Sequence, residues 1–477
     1  MNARVLPAPG IKYKSLQNKD QVVTPRDGSW NMASIKFHTS RPLGKWTYIT
    51  IQSGNRGPDP TALDRTVLNF QSFLQKAGIN ATEFMKGRHP VITIQPGQDV
   101  TNRNAIETLF SRMAANPADK PRFLLVVLPY QDTPLYNFVK TAGDVKYGIS
   151  TVCVIANKFM KDARQDQFFG NVSLKFNLKA GGINQTIDAS KLGVVGEGKT
   201  MVVGIDVTHP SPGSKATAPS VAGMVASDGP ELGHFPGVAC IQESQREEMV
   251  TAIEHMLRTR LELWRKKNRN LPENLLIYRD GVSEGQYQLV LSKELPLIRN
   301  ACKLMYPANA PQPKITIVVC GKRHHTRFYP TKEQEADRKS NCFAGTVVDR
   351  GITEARNWDF FLQSHACIQG TARTCHYFVI LDEIFRKRPV KAPHKTTADA
   401  LEELTHNMCH LFGRATKSVS LAPPVYYADL LCTRMRCYLS DQFDDDQTSV
   451  SGTSSVAGSF TSQITIAENM KDSMFYI

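Results

Sequence analysis

The chain has 477 residues, room for two or three domains around a large core, and its 58 Lys and Arg against 44 Asp and Glu give a formal charge of +14. That surplus favours a polyanionic partner, because each neutralised phosphate releases a counterion, although a merely basic soluble protein fits the charge alone. No run approaches the roughly eighteen apolar residues of a membrane helix, the first residues carry no signal-peptide stretch, and the ten scattered cysteines form no paired CxxC motifs, so a soluble, intracellular chain with reduced core thiols and no zinc site is expected.

In chain order, residues 1–44 are rich in Pro, Gly, Lys and Asn and read as a linker that wraps something else. Lys45–Ile51 reads as a strand, Leu63–Ala77 as a helix, Pro90–Ile94 as extended, Asn104–Ala115 as a helix and Arg122–Leu128 as a buried strand. Such alternation predicts a three-layer α/β domain with a mainly parallel sheet, assigned to residues 45–187. A second α/β unit, 188–477, carries expected strands at Met201–Val207, Gly237–Gln242, Leu275–Tyr278, Ile315–Cys320 and Tyr377–Leu381. A long helix is predicted from about Arg246 to Lys267, with Met249, Ile253, Met256, Leu257, Leu261 and Trp264 at helical spacing. Residues 441–462, acidic and then rich in Ser, Gly and Thr, read as a disordered loop, and Ile464–Ile477 as an amphipathic tail that packs back.

Four acids sit at or beside apolar elements: Asp206, Glu248, Asp280 and Asp429. Asp206 ends the apolar run Met201-Val-Val-Gly-Ile-Asp206-Val, and Asp280 closes Leu275-Leu-Ile-Tyr-Arg-Asp280 before a Gly-containing loop, a usual place for active sites in α/β domains. A carboxylate emerging from a buried strand is costly unless a cation or hydrogen bonds compensate it. Several converging carboxylates suit hard divalent cations, and two such ions can clamp the attacking and leaving oxygens of a phosphodiester. Taken singly, each acid also fits a surface or capping role, and Glu248 near a predicted helix start fits a dipole role. Strands before helices, with carboxylates at strand ends, suit an RNase H-like arrangement.

A basic set forms a second constellation. Tyr136 and Lys140 are four apart on a predicted helix and share a side, as do Lys175 and Lys179. Three ammonium groups and a ring could grip a terminal phosphate while the ring stacks on a base. A solvated basic face is the plainer alternative for the lysine pair. His324-His325 could suggest a metal, but adjacent histidines on a strand point opposite ways. The GxxxxGK[ST] pattern is missing, which gives ATP hydrolysis little support.

Together, Gly204-Ile-Asp-Val-Thr-His-Pro210, the Asp280 segment, Gly321-Lys-Arg-His-His-Thr-Arg327 and Val425-Tyr-Tyr-Ala-Asp429 resemble the PIWI domain of eukaryotic Argonaute proteins. Leu128-Pro-Tyr-Gln-Asp-Thr-Pro-Leu-Tyr136-Asn-Phe-Val-Lys140 resembles the MID domain of that family, and residues 1–44 its second linker. The likeness covers nearly the whole chain and points to a filamentous-fungal member of the kind that acts in quelling. The family's N and PAZ domains have no counterpart in the sequence, so a fragment is expected. The resemblance implies an α/β fold: a Rossmann-like MID domain followed by an RNase H-like PIWI domain.

The resemblance also implies roles. Asp206, Glu248, Asp280 and Asp429 match the catalytic tetrad, with Arg246-Glu-Glu248-Met carrying the glutamate finger at Glu248. Asp206, Asp280 and Asp429 would hold two Mg²⁺ or Mn²⁺ ions roughly 4 Å apart, and Glu248 would position the site or its water. Tyr136, Lys140, Lys175 and Lys179 match the pocket for the 5′ phosphate of a guide RNA. Arg434 matches an arginine reaching the same pocket, about 140° round a helix from Asp429. Where the family often has Gln, Val152 stands here, and the neighbouring Thr151 hydroxyl could substitute. Arg323, His324, Arg327, Arg373, Arg414, Ser420 and Tyr426 match contacts to the guide backbone.

The leading expectation is therefore a cytoplasmic, small-RNA-guided endoribonuclease lobe. MID anchors the guide, PIWI cuts the paired target RNA, and Trp-containing silencing proteins are partners implied by the family. The alternatives are a guide-binding scaffold with little or no slicing, and another RNase H-like nuclease or transposase acting on DNA. The lobe alone is expected to slice weakly or not at all.

Overall fold

The computed structural model describes residues 2–54, 57–87, 89–211, 214, 218–242, 248–440 and 464–477. The stretch 441–462 and the predicted helix start at Arg246 lie outside them. No helix among the described residues is long and apolar enough to cross a membrane.

The first 44 residues hold more regular structure than their composition suggests. Strands β1 (Arg4–Val5), β2 (Ile11–Ser15), β3 (Asp20–Val23) and β4 (Ile35–Lys36) lie here. β2 runs between β3 and β4, antiparallel to both, with Ile11 and Tyr13 fully buried. The signal was a period-two alternation only five residues long.

A parallel sheet follows, built from β5 (Trp46–Ser53), β6 (Val91–Ile94), β7 (Phe123–Leu128) and β8 (Ser150–Ile155) in the order β6-β5-β7-β8. Helices cover both faces, which explains the unbroken apolar run of β7. Phe123, Leu125 and Val127 pack toward helices Pro60–Lys76 and Gln165–Ala180. Leu124, Val126 and Leu128 pack toward helices Asp99–Ala114 and Thr133–Lys140.

The second sheet has β9 (Thr200–Thr208), β10 (Ser220–Ala226), β11 (Gly237–Gln242), β12 (Asn274–Asp280), β13 (Lys314–Gly321), β14 (Thr346–Val348), β15 (Trp358–Gln363) and β16 (Cys375–Asp382). Their order is β1-β14-β15-β16-β13-β12-β9-β10-β11. β12 runs parallel to β9 and β13, and the other pairs are antiparallel. β10, β14 and β15 were not anticipated. β10 is Ser-Val-Ala-Gly-Met-Val-Ala, whose small residues give a weak signal, and β14 is three residues long.

Alternation along β9 and β12 decides which side chains meet. Met201, Val203, Ile205, Leu275 and Ile277 face helices Ile253–Asn268 and Leu295–Met305. Val202, Leu276 and Tyr278 face the opposite core, where helix Pro423–Tyr438 packs. Asp206 and Asp280 continue that second set, so both carboxylates fall on the face covered by the helix that carries Asp429. Gly204 permits this approach: a Cβ there would stand 2.1 Å from the Pro424 carbonyl oxygen. The tail closes the same core with Met470, Met474, Phe475, Tyr476 and Ile477, and Tyr476 donates its hydroxyl to the Phe235 carbonyl at 2.6 Å.

Candidate active site and basic cavity

Asp206 and Asp280 sit near the carboxyl ends of neighbouring parallel strands, whose register pairs Ile205 with Arg279. Asp206 is 7 % exposed, and its carboxyl is held well above the usual carboxylate range by burial and then by Asp280 and Asp429. Burial also raises Asp280, opposed by its hydrogen bond from the Gly281 N–H and by Arg279, and raised further by Asp429. Asp429 is raised by burial and lowered by Arg323. The three acids thus share one electrostatic neighbourhood in which negative charge is under-compensated. Among the described residues, no three His, Cys, Asp or Glu side chains are already grouped to hold a metal ion.

Glu248 is not at a helix start: the helix begins at Ile253, and the dipole role falls away. Its carboxylate accepts from Arg279 Nη1 at 3.1 Å and meets His209 Nε2 at 2.8 Å, while His209 Nδ1 contacts the Ser220 hydroxyl at 2.9 Å. Arg279 also donates to the Glu248 carbonyl. Glu294 anchors Arg279 from behind, through Nε at 3.2 Å and Nη2 at 3.0 Å, and accepts the Val250 N–H at 2.9 Å. Arg279 is fully buried; burial would discharge it, but Glu294 and Glu248 outweigh that and keep it cationic. Gly281, at φ +83°, lies against the Glu248 carboxylate, where a Cβ would stand 2.5 Å from Oε1. Four acids far apart in sequence are thereby brought to one end of one sheet.

The basic residues build a cavity of about 200 Å³ between the two sheets' helices. Tyr136, Lys140, Thr151, Lys175, Arg414 and Arg434 line it, with Ile477 of the tail. Lys140 donates to both the Thr151 hydroxyl and carbonyl at 2.8 Å and stands over the Tyr136 ring at 5.2 Å. Arg434 donates to Asp144 at 2.8 Å, to the Tyr136 hydroxyl at 2.8 Å and to the Phe475 carbonyl at 3.0 Å. Burial lowers Lys175 to about 8, helped by Arg414 and Lys140. Lys179 departs from expectation: it is fully inside the wall, donates to the Phe475 carbonyl, and does not line the cavity. Arg414, matched to the guide backbone by resemblance, lines this cavity instead.

The remaining matched residues divide. Arg323 is exposed and acts on Asp280 and Asp429; Arg373 is exposed. Arg327 donates to the His324 and Thr326 carbonyls at 2.9 and 2.7 Å. Ser420 accepts from Lys322, and Tyr426 stacks on Phe412 at 4.5 Å. His324 and His325 follow β13 rather than continuing it, so the strand argument against a shared metal does not apply; His324 Nε2 meets the Thr374 carbonyl at 3.0 Å. Sequence reading passed over Arg279, His209, Asp144 and Glu294. The first two stand one and three residues from singled-out acids, and a charged residue inside an apolar strand was the available signal for Arg279.

The sequence matches the Piwi domain family over residues 123–440. It is 33 % identical to the protein argonaute PNH1 of Oryza sativa subsp. japonica, across 100 % of this chain and 48 % of that protein. The chain spans about half the length of the curated relatives it matches. Among solved structures, Kluyveromyces polysporus Argonaute with a guide RNA superposes with a TM-score of 0.81 at 27 % identity, covering 100 % of this chain and 53 % of that one. The MID-PIWI domains of N. crassa QDE-2 AGO superpose with a TM-score of 0.65 at 33 % identity, covering 93 % and 100 %.

Proposed function

The chain belongs to the Argonaute family and carries its Piwi domain, and from that premise we propose that it works in small-RNA-guided silencing, holding a guide RNA by its 5′ phosphate and cutting the paired target RNA. One observation carries the reading: Lys140, Lys175, Arg414 and Arg434 converge on a partly open cavity beside the Tyr136 ring, with Asp144 the acid that Arg434 contacts. Buried cations so arranged suit a multiply charged phosphate, which they meet with charge-assisted hydrogen bonds. Tyr136 would stack on the first base; burial holds the Lys179 amine well below its usual range, and a bound phosphate would favour its protonation from behind the wall. Arg323, His324, Arg327, Arg373, Ser420 and Tyr426 would follow the strand beyond it.

On this reading residues 1–44 are a linker, 45–187 a MID domain and 188–477 a PIWI domain. The parallel sheet within 46–155 supports that division, although β1 belongs to the larger sheet and the Piwi match begins at residue 123.

The donor set of Asp206, Asp280 and Asp429 fits hard dications: all are oxygen ligands, burial raises each toward protonation, and neighbouring acids add to that at Asp206 and Asp280 unless positive charge arrives. Bound Mg²⁺ or Mn²⁺, two ions by the family's precedent, would supply Lewis-acid activation of water and charge neutralisation at the phosphodiester. Glu248, fixed by Arg279 and His209, would orient the water. Asp206 and Asp280, on neighbouring strands, would fix the cleavage point relative to the anchored guide end, because helix Pro423–Tyr438 joins Asp429 to Arg434.

The test loads the chain with 5′-phosphorylated or 5′-hydroxyl guide and follows both binding and target cleavage. Preferential binding of the phosphorylated guide, with cleavage lost in Asp206→Ala, is the expected result. Equal binding of both ends overturns the cavity assignment. Cleavage surviving Asp206→Ala removes the assignment of the nuclease to these acids, and a parent chain that binds the phosphorylated guide without cutting is the guide-binding scaffold.

A further inference from the structure

The loop between β16 and helix Thr397–Met408 carries Arg386, Lys387, Arg388, Lys391, His394 and Lys395 within ten residues. It stands away from the carboxylates. β13 pairs Gly321 with His376 and Thr316 with Asp382, while Asp280 lies beside Cys320. Asp382, and the loop after it, are therefore at the opposite end of the sheet from Asp280. Nothing in guide anchoring or cleavage uses this patch.

Beneath the loop is a groove of about 590 Å³, walled on its far side by residues 190–197. Its floor is apolar: Val194, Ala400 and Leu404 with Phe385, and Val390 at the rim is 45 % exposed. The rim is basic and partly neutralised. Arg388 pairs with Glu197, and Lys191 and His394 both pair with Glu403. Among the described residues Lys387 and Lys391 have no carboxylate partner, and both are exposed on the rim.

We propose that this groove docks an acidic peptide segment of a partner protein, with an aliphatic side chain on the Val194–Leu404 floor and carboxylates on Lys387 and Lys391. Charge complementarity selects the acidic partner, since apolar contact on the floor excludes water while the rim lysines set specificity and encounter rate. A nucleic-acid strand fits less well. Stacking on bases needs exposed aromatic faces; of the groove's rings, Phe385 is 5 % exposed and already edge-on to Trp358, and His394 is held by Glu403.

The test uses the full chain and a fluorescein-labelled peptide of about twelve residues, mostly Asp and Glu around two leucines, in fluorescence anisotropy. Comparison probes are the same peptide with Ser for Leu, a Lys-for-Asp version, and a 5′-hydroxyl oligouridine. Saturable binding of the acidic leucine peptide is expected, weakened at least tenfold by Lys387→Glu with Lys391→Glu, by Val390→Asp, and by the Ser substitution. These positions are on the surface, and unchanged circular dichroism and guide binding would establish that the variants fold. No saturable binding, equal binding by the variants, or oligouridine bound more tightly than the peptide and lost in the lysine variant would each overturn the proposal.

Discussion

Arg434 donates to Asp144 at 2.8 Å across 290 residues of sequence, and this pair joins the helix that carries Asp429 to the segment Thr141–Tyr147 that follows Lys140. Both side chains are nearly or fully buried, and Tyr438 donates to the same carboxylate oxygen at 2.7 Å. The pair therefore fixes the floor of the cavity as well as the joint between two sheets. Removing one member of a buried pair leaves the other uncompensated, at a cost of about 3 to 5 kcal/mol. Asp144→Ala is expected to lower stability by that order in denaturant titration. Asp144→Ala combined with Arg434→Met should recover part of the loss, and a double-mutant cycle showing no coupling would refute the pairing.

Lys175 gives the cavity a pH dependence. Its ammonium form is what a phosphate binds, and burial, then Arg414 and Lys140, bring its pKa to about 8. Protonated below that value and neutral above it, the lysine supports binding at pH 7 and withdraws as pH passes 8. Affinity for a 5′-phosphorylated guide is expected to fall severalfold between pH 7 and 9. Affinity of Lys175→Arg should stay nearly flat over that window, because guanidinium does not titrate there. Parallel curves for the two proteins would assign the dependence elsewhere.

Gly281 offers a separation of binding from cleavage. Its φ of +83° and the 2.5 Å that a Cβ would leave to Glu248 Oε1 mean that Gly281→Ala must displace the carboxylate or the loop. The backbone strain alone is about 1 kcal/mol. Guide binding should be unchanged while target cleavage drops at least tenfold. Gly285→Ala, where a Cβ meets nothing within 4 Å, is the neutral control. Equal effects of the two substitutions would remove the claim that Glu248 is held at this spot.

The residues of this site differ in how far sequence could reveal them. Asp206 and Asp280 were legible because both close long apolar runs, and a strand buried on both faces writes itself as such a run. The start of the helix after Glu248 was not, since Met249 and Val250 are apolar for a different reason: they pack under the segment that Arg279 and Glu294 tie down. Lys179 carries the same spacing signal as Lys175, and only the position of Phe475 decides that one faces the cavity and the other the wall. Asp144 is silent in sequence because its partners come from a helix some 290 residues on. Local pattern reports which faces are buried; it does not report against what.

Glu402 ties the first strand to helix Thr397–Met408 and should leave its mark on stability. It is fully buried and accepts from Arg4, which also reaches Asp349 and Asp399 at 2.8 and 2.6 Å. Burial pushes the carboxyl up to about 7; Arg4 pulls it down, and Asp349 and Asp399 push it up again. Its folded pKa thus exceeds the unfolded one, so folding favours the protonated acid. That contribution is complete below the unfolded value of 4.5 and is lost as pH rises through about 7. Glu402→Gln, which cannot ionise, should show a smaller fall in thermal midpoint between pH 5 and 8 than the parent chain does. If the parent instead gains stability over that range relative to Glu402→Gln, the ion pair with Arg4 outweighs burial and the sign assigned to Glu402 is wrong.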